Sequence, residues 1–334
     1  MRCLLPKCVG SMKRMTKYLM HIVRSHHTLR PLGRAGLRRS LEPECRPINP
    51  SARLCDELRD GETIRVVPRA ASVAAPVIAT RAQCARLSPH EEGDESVCDR
   101  QAKVPGFSQE VFSNLKVLLV GAGALGGEIA EGLVRKGVGR LAILDFDVVQ
   151  PSNLARQFFT EADVLSNKAM CLVRNLQPHG YMGTEMIGWP LSFEDALEQD
   201  VDLTCGVVVS AVDDAETRAA ISCFANENKI PAVFSAVSEQ ADHGVVFIQE
   251  VDGPCFGCAF PNQAQGGRTP CPGTPAIKDI MKVMGGIVLY AIDSLFMERP
   301  RRWTLYDLSL VDGNSSRCGN VERRPECPLC GGDA

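Results

Sequence analysis

The chain has 334 residues, 45% of them hydrophobic and 23% charged, which is the composition of a globular protein with a substantial core. A formal net charge of -3 gives no global field that would mark a nucleic-acid or membrane binder. No apolar run approaches the roughly 18 residues needed to span a bilayer, and the N-terminus lacks the order of a secretory signal. The fifteen cysteines therefore read as reduced thiols, metal ligands or a nucleophile in a cytoplasmic protein.

Composition divides the chain at about residue 95. Residues 1–95 are rich in Arg, Pro, Ser and Ala and read as largely irregular, with one candidate strand at Thr63–Val67. From Met1 to Leu41 there are ten Lys or Arg and no Asp or Glu. Cys3, Cys8, His21 and His26 match the spacing of a two-cysteine, two-histidine zinc finger. An acid-free, Arg-rich start equally suits a transit peptide or a disordered leader. Contact with nucleic acid would rest on that finger alone, and neither nucleic acid nor membrane is expected as a partner.

Residues 96–334 read as one α/β domain. Lys116–Val120 is a buried-strand run followed at once by Gly121-Ala122-Gly123-Ala124-Leu125-Gly126. Leu125, Ile129 and Leu133 then recur as one helical face, and Gly137 is placed to end that helix. Arg140–Leu144 is a second buried strand ending at Asp145. Further strands are expected at 206–210, 232–234 and 243–249, and a long helix within 275–297. The fold class predicted is a Rossmann-like, doubly wound, mostly parallel sheet with a cysteine-bearing C-terminal segment.

The glycines fit a phosphate loop. Gly121 permits the tight turn, Gly123 lets amides approach phosphate, and Gly126 lets the helix pack on the strand, while the helix N-terminus offers free N–H groups. Asp145 stands where a carboxylate can take ribose hydroxyls. To this point NAD and ATP fit equally.

The next segment separates them. Asp145-Phe146-Asp147, Ser152-Asn153-Leu154-Ala155-Arg156-Gln157 and Lys168 resemble the D-x-D, S-N-L-x-R-Q and following lysine of the ThiF/MoeB/HesA superfamily, the bacterial relatives of ubiquitin-activating enzymes. The likeness runs from about Arg100 to Cys330. It implies an ATP-dependent adenylyltransferase that activates the C-terminal carboxylate of a small ubiquitin-like or sulfur-carrier protein ending in Gly-Gly. By the same resemblance Asp145 binds ribose, Asn153, Arg156 and Lys168 hold the triphosphate, and Asp213 is linked to magnesium. Family members are homodimers in which an arginine reaches the neighbouring site. Arg100 is the counterpart here, although the aromatic that accompanies it in the family is missing from Cys98-Asp99-Arg100-Gln101.

Cys255-x-x-Cys258 and Cys327-x-x-Cys330 are two thiol pairs able to complete a tetrahedral zinc site of structural type. The 68 intervening residues make it a clip rather than a compact finger. Cys271, flanked by Pro270 and Pro272, matches a family cysteine that forms a thioester or persulfide; a loop cysteine without chemistry is the plain alternative. Cys171, Cys205, Cys223 and Cys318 read as packing or surface thiols. Two other functions compete: a nicotinamide-dependent oxidoreductase and a non-catalytic scaffold of the same fold.

Overall fold

The computed structural model describes residues 96–264, 277–312 and 316–331 in full, with Pro76 and the backbones of four strands before them. The chain falls into two compact units, Met1–Ala74 and Ala75–Ala334. The first carries a three-stranded antiparallel sheet, β2-β1-β3, of β1 (Tyr18–Arg24), β2 (Cys45–Pro47) and β3 (Glu62–Pro68). β3 contains the expected Thr63–Val67 strand, so a region read as largely irregular holds a sheet. His21 lies in β1, whereas Cys3, Cys8 and His26 of the candidate finger lie outside the described residues.

The second unit is built on nine strands in the order β12-β11-β10-β9-β8-β5-β6-β7-β4. Its parallel centre comprises β5 (Lys116–Val120), β6 (Arg140–Leu144), β7 (Glu185–Trp189), β8 (Val207–Ser210) and β9 (Ala232–Val237). β10 (His243–Gln249), β11 (Leu305–Ser309) and β12 (Arg317–Gly319) continue it antiparallel, and β4 (Val77–Ala79) lies antiparallel on the opposite edge. β5 and β6 fall on the two runs read from sequence, and the mostly parallel doubly wound class is the one observed.

Both faces are covered, which is why the central strands are apolar throughout. Val117 and Leu119 of β5 join one core, with α2 (Gln109–Asn114), α3 (Ala124–Arg135), α4 (Lys168–Leu176) and α9 (Lys278–Phe296). Leu118 and Val120 point the other way, toward α5 (Phe193–Glu198), α6 (Ala215–Glu227) and α7 (Phe256–Ala259). Each fully buried Leu or Ile here contributes roughly 1.5–3 kcal/mol. Leu125, Ile129 and Leu133 are the buried stripe of α3, as their four-residue spacing requires. Gly137, at φ +79, turns the chain out of that helix. The other helices are α1 (Asp99–Ala102) and α8 (Pro261–Ala264).

β5 has β6 on one side and β8 on the other, so the chain reverses its winding there. In open α/β sheets the crevice at the carboxyl ends of such strands is where ligands enter.

Candidate active site

The crevice begins with the glycine turn. Gly121 has φ +101, its N–H donates to Leu144 O at 2.8 Å, and a Cβ there would lie 2.7 Å from Ala211 O. A Cβ on Gly126 would come within 2.0 Å of Gly121 O, so helix and turn touch only because that residue has no side chain. Gly123 faces open space, and no side chain caps the start of α3. The free amides and positive dipole end of α3 therefore point into the cleft, an arrangement suited to an anion.

Asp145 orders this turn. Its Oδ2 accepts the Ala122 N–H at 2.7 Å and its Oδ1 accepts the Asp147 N–H at 2.8 Å. Each oxygen keeps a second lone pair for a ribose hydroxyl. Burial at the base of the cleft pushes the Asp145 carboxyl up to about 6, against the pull of the Lys168 charge.

Lys168 is the first residue of α4 and its Nζ lies 2.8 Å from Asp147 Oδ2. Asn167 caps α4 through the Met170 N–H and also donates to Asp145 O at 2.8 Å and Asp147 O at 3.1 Å. The β6 exit and the α4 entry are thereby locked together. Between them Asn153 is buried and accepts the Gln150 N–H at 2.9 Å, while Arg156 Nη1 donates to Ser152 O at 2.5 Å. The cleft, about 400 Å³, is lined by Gly121, Gly123, Asp145, Asn153, Arg156, Lys168 and Asp213, with Gly126 just behind the turn. Its size suits a small-molecule site.

Among the cleft residues that were not anticipated, two brace its walls. Arg218, nearly buried on α6, donates to Val212 O from Nε at 3.1 Å and Nη2 at 2.6 Å, and so fixes the loop that carries Asp213. Thr217 Oγ1 donates to Glu194 Oε1 at 2.9 Å and ties α6 to α5 across the same wall. Neither sits in a short motif; an arginine five residues beyond Asp213 was the only available signal. Arg100, exposed on α1, is not among the residues lining this chain's own cleft, and Cys271 lies outside the described residues.

At the far end of the unit Cys255, Cys258, Cys327 and Cys330 come together, all four sulfurs within 4.8 Å of one another. The sulfur separations of 3.9 Å (Cys255–Cys258), 3.4 Å (Cys255–Cys327) and 3.5 Å (Cys258–Cys330) bracket the about 3.8 Å edge of a tetrahedron with metal–sulfur bonds of about 2.3 Å. Burial pushes the Cys255 thiol up, so four thiolates here need a cation to balance them. The donor set thus fits a metal ion.

Fold and cleft together define a nucleotide-binding protein of the doubly wound class. The chain belongs to the ThiF family, whose sequence profile matches residues 98–329. It is 31% identical over 233 residues to the sulfur carrier protein adenylyltransferase of Thermus thermophilus, covering 67% of this chain and 84% of that protein. It is 34% identical over 161 residues to ubiquitin-like modifier-activating enzyme 5 of Drosophila virilis, covering 43% of this chain but only 39% of that enzyme. Among solved structures, Escherichia coli MccB with ATP superposes with a TM-score of 0.56 at 18% identity, over 67% of this chain and 68% of MccB. That likeness is one of fold. No described helix is long and apolar enough to cross a membrane.

Proposed function

We propose that the protein uses ATP to adenylate the C-terminal carboxylate of a small ubiquitin-like or sulfur-carrier protein. The observation that carries this reading is the grouping of Arg156 and Lys168 beside the open glycine turn, with Asp213 on the facing wall. A hydride-transfer enzyme has no use for two cations beyond the phosphate loop; a site that must release pyrophosphate does. The relatives' names point the same way.

In this reading Asp145 holds the ribose, and the amides at Gly123 and the start of α3 receive phosphate oxygens. Asn153, Arg156 and Lys168 hold the β- and γ-phosphates. Asp213 is the carboxylate for magnesium, an oxygen-seeking ion that neutralises phosphate charge. The partner's Gly-Gly tail lies extended along the cleft. One of its carboxylate oxygens attacks the α-phosphorus, the bond to the bridging oxygen breaks, and pyrophosphate departs with the electron pair. The carboxylate is already ionised at neutral pH, so this step asks for positioning and charge neutralisation rather than a base.

The tetrad is read as a structural zinc site, because four thiolates leave that ion no open position for chemistry. Those thiols must stay reduced, which suits the cytoplasm. Exposed Arg100 is read as reaching a second copy's cleft in a homodimer, and Cys271 as an acyl or sulfur carrier.

The test is ATP–pyrophosphate exchange with a Gly-Gly-terminated sulfur-carrier protein. Arg156→Ala and Asp213→Ala should each lower exchange by about 10²-fold or more. Near-wild-type exchange in either variant, or binding of NAD in place of ATP, would overturn the assignment.

A further inference from the structure

The β9–β10 hairpin carries a group of polar side chains that adenylation leaves without a task. Ser238 lines the cleft. Its Oγ donates to Asp242 Oδ1 at 2.9 Å and accepts the His243 N–H at 3.2 Å. The same Asp242 oxygen lies 2.8 Å from His243 Nδ1. Hydrogen bonds from His243 and Ser238 hold the Asp242 carboxyl below its usual range, so it is ionised and fixes Nδ1 as the protonated ring nitrogen. Nε2 is left as the basic atom on a half-exposed ring.

The hairpin is built to keep this arrangement. Ala241 is held at φ +58, a left-handed conformation uncommon for a residue with a side chain, and its N–H is tied to Ser238 O at 2.9 Å. Gly244, next along β10, packs so closely on Met284 that a Cβ would lie 2.4 Å from the sulfur. The only other histidine described with its side chain, His179, bonds Arg135 at the end of α3 away from the cleft. His243 is thus the one imidazole described with its side chain that is joined to the cleft lining, its N–H and its Asp242 partner both bonding Ser238 Oγ.

We propose that His243, oriented by Asp242, is the base that takes the proton from a thiol acceptor when the acyl group leaves AMP. This rests on the adenylation reading. The first half-reaction needs no base, since its nucleophile is a carboxylate. The second does: the acceptor's S–H proton passes to Nε2, and sulfur bonds to the acyl carbon. The bond from that carbon to the AMP phosphate oxygen then breaks, and AMP departs with the pair. A neutral imidazole nitrogen can take the S–H proton as sulfur bonds to the acyl carbon, the role a positioned general base fills.

The two half-reactions separate the possibilities. The full-length protein, magnesium-ATP, a Gly-Gly-terminated sulfur-carrier protein and dithiothreitol as the thiol probe give pyrophosphate exchange and carrier thioester, each measured independently. His243→Gln and Asp242→Asn should keep wild-type exchange while thioester formation falls about 10²-fold, and added imidazole should restore part of it in His243→Ala. Thioester formation insensitive to His243, or exchange falling in step with it, overturns the inference while leaving adenylation standing. A wild-type protein that exchanges no pyrophosphate overturns both.

Discussion

Lys168 Nζ meets Asp147 Oδ2 at 2.8 Å across 21 residues of chain, and the contact sets the reach of the one lysine among the described residues that line the cleft. The lysine side chain is almost wholly covered while Asp147 is half exposed. The pair is therefore a partly screened clamp on a shielded cation rather than a stability element. Lys168→Ala should lower exchange by about 10²-fold through loss of a charge placed for the departing phosphates. Asp147→Asn keeps the lysine but frees it, and should cost about tenfold, with unchanged thermal stability. Equal losses in the two variants would show that Asp147 acts on the nucleotide directly.

Two of the motif glycines, Gly126 and Gly123, should fail in different ways. Gly126→Ala forces a carbon to 2.0 Å from Gly121 O, and the backbone must move, so about 2 kcal/mol or more of stability should be lost. Gly123→Ala meets nothing within 4 Å in the protein alone. Its melting temperature should stay near wild type while ATP affinity falls, because the added methyl enters the space where phosphate would lie. Thermal denaturation with and without ATP checks both. A Gly123→Ala protein with normal ATP affinity would move the phosphates elsewhere in the cleft.

Removing the metal should unfold one end of the domain rather than stop the chemistry step by step. Cys327 and Cys330 tie the chain's end to Cys255 and Cys258, a closure over 72 residues for each linked pair. One zinc per chain should be assignable to this tetrad, and Cys258→Ser should release it. The same variant, or chelator on the wild type, should lower the thermal midpoint by many degrees. Mass spectrometry under native conditions counts the ion, and a metal-free tetrad with unchanged melting would refute a structural role.

How much of this was legible in the sequence depended on whether a feature is local. The strand–glycine–helix–strand run from Lys116 to Asp145 is encoded in consecutive residues, so its strands were readable to the residue. The cysteine pairs were legible because C-x-x-C spacing already limits where each thiol can point. Arg218 was not, because its place in the cleft comes from hydrogen bonds to Val212 O and a nearly buried position that only the packed domain creates. β11 and β12, two short strands at the sheet's edge, carried too little pattern to separate from loop. The Asp242–His243 pair reaches Ser238 only once the chain has reversed between β9 and β10, a turn with no Gly or Asn signature.

Asp145 gives the sharpest dependence on pH. Burial raises its folded-state pKa to about 6 from an ordinary 3.8, so the protonated form is favoured by folding. That contribution is fully present below the unfolded value and is lost as pH rises through about 6. The loss amounts to at most about 3 kcal/mol, less where solvent reaches the carboxylate. Asp145→Asn cannot acquire the buried charge. The variant's stability relative to wild type should therefore improve as pH rises from 4 to 7.5, even though it can no longer accept both the Ala122 and Asp147 amides. Denaturant melts of the two proteins at matched pH give that difference directly. A difference that stays flat across the range would mean that Lys168 and the two amides fully compensate the ionised carboxylate in the folded protein.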